Sequence, residues 1–590
     1  MSSEERPSKR PRDDDPELKT SVQRSADYWF EDGSIVLQVE STQFRVAKTI
    51  LAMHSTVFRD MLSLPPTNEP LVEGCPVVHL PGDRAEDWEY LLRSMFPKTT
   101  FGEDVPSLDQ ISGVLRLSQK YDIPAFRRAC VSRLCCAFPA RLAASDDKTR
   151  NKNQMLVPKS DERLELTTFC IKAVNLAREV GLFSILPYAF YIICAAPLAS
   201  GFWKNAADPK KKILQLYGTL KASVGARRVQ SRPRFQVCLL PIIIYHVRDL
   251  SHQTSLVPTT MTSEERPTKR SREDGDVQEP APVRRSTTYW FEDGSIVLQV
   301  ESTQFRVAKT ILAMHSTVFR DMLSLPPVDQ AQVEGCPVVY LPGDRAEDWE
   351  HLLCSMYPKQ TFSEDLPTFD EIAAVLRLSQ KYDIPAFRKT CVARLCSEYP
   401  VQLPLYEQSG LGMQSKIKYP ADLDKSQLFS LTVKVVNLAR EVGLYSVLPY
   451  AFYHIASSSL DTGILSEHFH ALGVADQITC LQGHARLLES YRQTPFKCFA
   501  PFDGPVPCQS CPTEERCRRG ASMMLGNAFS RAKKAQILEP WSVPWNRFLC
   551  DDCLIAAKAV YAQSRAECWE KLPSYFGLPA WDELLRMNLE

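Results

Sequence analysis

The stretch YWFEDGSIVLQVESTQFRVAKTILAMHSTVFRDMLSLPP fills residues 28–66 and returns without a change as residues 289–327. Whatever one copy folds into, the other must fold into as well, so this repeat constrains the architecture more than any bulk property. The match continues beyond the block. EGCPVVHLPGDRAEDWEYLLRSMFPK (73–98) recurs as EGCPVVYLPGDRAEDWEHLLCSMYPK (334–359), VLRLSQKYDIPAFRRACVSRLC (114–135) as VLRLSQKYDIPAFRKTCVARLC (375–396), and VNLAREVGLFSILPYAFY (174–191) as VNLAREVGLYSVLPYAFY (436–453). A unit of that reach far exceeds the roughly 20–45 residues of a solenoid repeat. It reads as a tandem domain, and a chain of 590 residues has room for several domains of about 100–200 residues each.

Even the polar starts correspond, MSSEERPSKRPR at Met1 and MTSEERPTKRSR at Met261. Such a tail has little packing reason to keep its sequence, so the likeness reports recent duplication, and Met261 reads as a second start. Residues 201–260 have no partner in the second copy. Two readings stand for them: sequence joining two neighbouring genes or gene models, or a linker of unusual composition.

Within SIVLQV the apolar side chains Ile35, Leu37 and Val39 alternate, the period of a half-buried strand, and Phe44 and Val46 resume it to make a hairpin. From Lys48 the period changes. Ile50, Leu51, Val57, Phe58, Met61 and Leu62 predict one helix ended by Pro65-Pro66. Residues 75–80 predict a third short strand; Trp88, Leu91, Leu92, Met95 and Phe96 mark a second amphipathic helix, and a further pair covers 108–121 and 125–136 around Pro124. Strands early and helices late predict an α+β fold, a small mixed sheet surrounded by helices.

Seventy basic residues balance seventy acidic ones, so no overall field draws the chain to nucleic acid or to an anionic membrane. The most apolar run, VCLLPIIIYHV at 237–247, is too short to span a bilayer and is broken by Pro241. The polar N-terminus lacks the apolar core of a signal peptide, so an intracellular protein is expected, and the nineteen cysteines read as reduced thiols or metal ligands. No catalytic motif emerges, and no enzyme or small-molecule substrate is expected. His54 and His315 sit inside a helix with no placed nucleophile, and Trp88 and Trp349 fall on leucine stripes that mark core. Lys9-Arg10-Pro11-Arg12 and Lys269-Arg270-Ser271-Arg272 are short basic clusters of the kind nuclear import receptors bind, so nucleus and cytoplasm both stay open.

Only the second copy continues into a cysteine-bearing tail, with Cys508, Cys511 and Cys517 in CQSCPTEERC and Cys550 and Cys553 in LCDDC. Four thiolates satisfy the tetrahedral preference of a structural Zn²⁺, and five cysteines are one too many. The alternative is thiols serving as small apolar side chains. The closing LPSYFGLPAWDELLRM is expected to pack over the same small unit.

FEDGSIVLQVESTQFRVAKTILAMHSTVFRDML resembles the start of the BTB/POZ domain, with Phe44, Lys48, Leu51, Ser55 and Phe58 at the positions of the family's F-x-x-H-[RK]-x-x-L-x-x-x-S-x-x-F pattern, and LRLSQKYDIPAFRRACVSRL resembles its later helix pair. The usual histidine is Ala47 or Ala308, and the acidic residue common in the first strand is Ser34 or Ser295, which leaves Lys48 and Lys309 without that charge partner. The wider arrangement resembles the expanded BTB proteins of mushroom-forming fungi. The resemblance implies two BTB/POZ domains at 26–138 and 287–399, helical extensions at 160–198 and 424–495, tails or linkers at 1–25 and 199–286, and a cysteine-containing module at 496–590. It implies a role in protein–protein association, with a dimerisation surface on the first helix and hairpin that includes Val57, Phe58, Met61 and Leu62 and their counterparts Val318, Phe319, Met322 and Leu323. Its fungal tails imply Cys511, Cys517, Cys550 and Cys553 as the zinc set, with Cys508 as substitute. The rival roles within the family are substrate adaptor of a cullin-based ubiquitin ligase and nuclear transcriptional regulator.

Overall fold

A computed structural model describes residues 22–64, 71–100, 106–138, 163–195, 282–325, 331–361, 366–404, 415–420, 424–458, 466–493, 496–500, 503–530 and 536–589. The two basic clusters and residues 201–260 lie outside this range. Each copy is built on a five-stranded mixed sheet. In the first, β1 (Gln23–Trp29), β2 (Ile35–Val39), β3 (Thr42–Val46), β4 (Leu71–Val72) and β5 (Cys75–His79) lie in the order β1-β3-β2-β5-β4. The β2–β3 hairpin is antiparallel with Leu37 opposite Phe44, while β1 on β3 and β5 on β2 are parallel.

Strand β1 carries QRSADYW, with little apolar pattern, and it earns its place through its last residues: Tyr28 is buried and Trp29 packs with Val36, Cys75 and Val77 on the far side of the sheet. That cover explains why β2 is buried on both faces, Val36 and Leu37 alike, where alternation predicts a half-buried strand.

The helix predicted over 48–64 is two helices, α1 (Lys48–His54) and α2 (Thr56–Leu62). Ser55 makes the break. Its backbone is extended, its Oγ accepts from the Phe58 N–H, and its hydroxyl donates to the Tyr121 carbonyl at 2.5 Å. A serine that caps the next turn and ties it to a distant carbonyl competes with the helical bond it replaces. The re-aimed α2 sends Phe58 into the core against Trp88 and Tyr121 and leaves Val57 outside.

Helices α3 (Ala85–Met95), α4 (Leu108–Lys120) and α5 (Pro124–Ala137) complete the domain. Trp88 is fully buried, and its Nε1–H donates to Asp83, which also accepts from Tyr121 and pairs with Lys120. Helices α6 (Arg163–Glu179) and α7 (Leu186–Ala195) form the extension.

The second copy repeats every element: β6 (Arg284–Trp290), β7 (Ile296–Val300), β8 (Thr303–Val307), α8 (Lys309–His315), α9 (Thr317–Ser324), β9 (Gln332–Val333), β10 (Cys336–Tyr340), α10 (Ala346–Met356), α11 (Phe369–Lys381), α12 (Pro385–Glu398) and the extension α13 (Lys425–Val442) and α14 (Leu448–Ala456). The tail then adds α15 (Val474–Gln493), α16 (Glu514–Ser530), α17 (Asp551–Glu570), α18 (Leu572–Tyr575) and α19 (Trp581–Arg586). The closing segment packs on the cysteine unit, with Trp581 stacked on Trp569 of α17, and reaches beyond it to the extension, where Phe576 meets Phe452 at 5.5 Å and the Leu589 N–H donates to the Gly443 carbonyl.

No described helix is long and apolar enough to cross a membrane.

Candidate functional site

The two domains touch through a reciprocal contact. Asp32 and Asp293 sit in the turns that follow the outer strands β1 and β6. The Ser34 hydroxyl donates to Asp293 Oδ2 (2.5 Å) and accepts from the Lys48 N–H (2.8 Å), while the Thr49 N–H donates to the same carboxylate (3.2 Å). In the other direction the Ser295 hydroxyl donates to Asp32 Oδ2 (2.5 Å), and the Lys309 and Thr310 N–H groups bond to Ser295 (2.9 Å) and Asp32 (3.2 Å).

The local sequence explains this need. Helices α1 and α8 begin at Ala47 and Ala308, whose methyl groups cannot cap a first turn. The opposite domain supplies the missing carboxylate, a stabilising charge beside helix N–H groups. Each aspartate therefore serves the helix of the other copy. The acidic group absent at Ser34 is replaced from across the boundary, and it acts on backbone N–H groups rather than on the Lys48 side chain.

Around this contact lies a crevice lined by six residues of one copy and their six equivalents: Phe30, Asp32, Gly33, Ala47, Ile50 and Phe96, facing Phe291, Asp293, Gly294, Ala308, Ile311 and Tyr357. One pair differs in chemistry. The Tyr357 oxygen accepts from the Ala308 N–H (3.3 Å), which Phe96 cannot do, and burial pushes the Tyr357 hydroxyl well above the usual tyrosine range. None of Val57, Phe58, Met61, Leu62, Val318, Phe319, Met322 and Leu323 lines this crevice. Phe58 and Phe319 are core side chains at 1% exposure, Val57 and Val318 face solvent, and the other four are half-buried. The useful signal was a poor capping residue in a chain that also places an aspartate before its hairpin.

His54 and His315 are buried beside Phe126 and Phe387, each with ring centroids 4.9 Å apart, and burial lowers both to about 4. Neutral rings packed on phenylalanine are core side chains, not bases.

In the tail, the sulfur atoms of Cys511, Cys517, Cys550 and Cys553 all lie within 4.8 Å of one another, with Cys517 and Cys553 buried and the other two half-buried. Cys517 stands in the first turn of α16, Cys550 caps α17, and Cys553 lies in its first turn, so two helix N-termini face the cluster. The Cys550 N–H donates to Cys517 Sγ and the Cys508 N–H to Cys553 Sγ, both at 3.3 Å. Burial alone would raise Cys517, but the Cys550 N–H, the Thr513 hydroxyl and the neighbouring thiols outweigh it and bring it to about 7. Burial pushes Cys553 upward.

A tetrahedral ion with metal–sulfur bonds of about 2.3 Å sets its sulfurs about 3.8 Å apart, and Cys511 Sγ lies 3.7 Å from Cys550 Sγ. The four thiols thus fit a metal ion. Cys508 stands outside the four, with its sulfur 3.4 Å from that of Cys553. Beside the cluster an aromatic core of Trp541, Trp545, Tyr561, Phe496 and Phe499, which sequence reasoning did not single out, packs edge to face.

The profile of the BTB/POZ domain family matches residues 31–136 and 293–399. No curated protein matches the chain. The matched segments cover each mixed sheet except its outer strand, β1 or β6, together with the domain helices, and BTB/POZ domains are protein-interaction modules. The chain thus carries two segments that match the BTB/POZ domain, facing each other through exchanged aspartates.

Proposed function

We propose that this protein works by association rather than by chemistry of its own, its two BTB/POZ domains closing on each other within one chain and presenting the closed pair to other proteins. The exchanged aspartates carry this reading, because at each helix start the Thr49 or Thr310 N–H and the Ser34 or Ser295 hydroxyl find their acceptor in the other copy. Both copies lie on one chain, so a tether that spans the gap holds them at roughly millimolar effective concentration. Light scattering of the full chain should give a monomer with a compact hydrodynamic radius. Asp32→Ala with Asp293→Ala should enlarge that radius and leave the circular dichroism spectrum of the domains intact. An unchanged radius, with unchanged cross-linking between the copies, would count against the closed pair.

The cysteine-bearing tail supports a second assignment, and it is also the arrangement of the fungal expanded BTB proteins that the chain resembles. Cys511, Cys517, Cys550 and Cys553 hold one structural Zn²⁺, whose chemistry there would be to cross-link the start of α16 to the start of α17. Elemental analysis of the purified chain should find one zinc per molecule, lost in Cys517→Ser. A metal-free protein whose melting ignores chelator would rule it out.

A further inference from the structure

The two helical extensions are docked on their domains by the same bonds. Arg116 pairs with Glu179 and Arg377 with Glu441, both at 2.8 Å, and Lys172 pairs with Asp109 and Lys434 with Asp370 at 3.0 and 3.1 Å. Each extension holds an arginine over a phenylalanine ring, Arg178 over Phe190 and Arg440 over Phe452. Each turns between its helices on a glycine in the left-handed region, Gly181 at φ 74° and Gly443 at φ 73°.

In the second copy the later segments of the chain engage Arg440, Gly443 and Phe452. Arg440 grips Asp476 with two nitrogens, at 2.7 and 3.2 Å. The Leu589 N–H donates to the Gly443 carbonyl (2.8 Å), and Gln380 Nε2–H donates to the Leu589 carbonyl (3.3 Å). Ser446 and Asn588 exchange two bonds, the Ser446 N–H to Asn588 Oδ1 (2.9 Å) and Asn588 Nδ2–H to Ser446 Oγ (2.8 Å).

The first copy repeats the receptor residue for residue, as Gln119, Arg178, Gly181, Ser184 and Phe190. Here Gln119, Gly181 and Ser184 are exposed, and Phe183 beside them is 63% exposed. In the second copy Nε and Nη2 of Arg440 hold a carboxylate, whereas no carboxylate is paired with Arg178 among the described residues, where its Nη1 is also without a hydrogen-bond partner.

We infer that the α6–α7 face of the first copy is a docking surface for a separate protein carrying a segment with the chemistry of this chain's tail: a carboxylate to meet Arg178, and an aromatic stretch ending in an asparagine-leucine pair to meet Ser184, Gly181 and Gln119. The occupant is not the chain's own tail, because each chain has two receptors and one tail, and the described tail is seated on the second. Exchanging tails between chains still leaves one receptor per chain over. The inference adds a partner to the interaction role and does not depend on the two domains pairing.

The probe is a labelled synthetic peptide of residues 572–590, which carries the Asn588-Leu589 end but not Asp476 and so reads the Ser184, Gly181 and Gln119 part of the receptor, titrated into the full-length protein and followed by fluorescence anisotropy. One saturable site per chain is expected. Ser184→Arg with Gln119→Ala should weaken it more than tenfold. Absence of saturable binding at millimolar peptide, or binding indifferent to the Ser184 and Gln119 substitutions, would overturn the inference. So would light scattering that shows the wild-type chain doubling in mass through a contact that Ser184→Arg abolishes, since the occupant would then be another copy of this chain.

Discussion

The extension α6–α7 and the extension α13–α14 carry almost the same residues, yet Pro187 is exposed where Pro449 is buried, and Phe190 is half-buried where Phe452 is fully buried. Neither hairpin has an intrinsic preference that explains this. The difference comes from the tail, which follows only the second copy and brings Asp476, Phe576 and Asn588 to one of two equal receptors. Exposure of an apolar face is thus a property of what else the chain supplies, and a repeat inside one molecule makes the control experiment available without mutation.

The largest expected effect comes from removing the cover. Trp581 stacks on Trp569 at 5.7 Å, and its Nε1–H donates to the Trp569 carbonyl. Trp581→Ala should cost about 3–5 kcal/mol in chemical denaturation of the second half. Amide exchange at residues 443–452 should rise to the level of residues 181–190, erasing the contrast between the extensions.

Next comes the matched arginine pair. Arg440→Ala strips Asp476 of a two-pronged partner and should cost about 1–3 kcal/mol, whereas Arg178→Ala should lie within about 0.5 kcal/mol of wild type. Equal losses would mean that Arg178 already has a partner of comparable strength.

The smallest effect separates the halves by pH. His454 in the second extension corresponds to Ile192 in the first, and burial lowers this histidine to about 4. The unfolded chain takes up the proton near the usual 6.5, the folded chain only near 4, so stability falls as the pH drops through that window. His454→Ile should recover about 1 kcal/mol at pH 5.5 and nothing at pH 8. His54 and His315 shift the same way in both domains, so a residual acid sensitivity common to the two halves is expected after that substitution.

Much of this molecule was legible from residue order. Alternation located the β2–β3 hairpin, the leucine and tryptophan stripe located α3, and the two cysteine-rich stretches of the tail pointed to a cluster whose four sulfurs converge. The failures share a cause. Ser55 reads as one more position in an apolar period, and only the Tyr121 carbonyl, distant in sequence, turns it into a helix break. Strand β1 has almost no apolar pattern because it pairs on one side only and is held by Trp29. Ser34 reads as the loss of a carboxylate, and the compensating Asp293 lies in the other copy. In each case the deciding partner comes from far along the chain, where local periodicity carries no information.

The exchanged aspartates have one more implication. Every hydrogen-bonding residue in that contact is present in both copies, and the crevice around it differs only at Phe96 and Tyr357. Such a surface bears almost no address: it distinguishes self from twin by one hydroxyl. Severed between the copies, the two halves would re-pair in near-statistical mixtures of like with like and like with unlike, so it is covalent connection, not recognition, that decides which domain meets which.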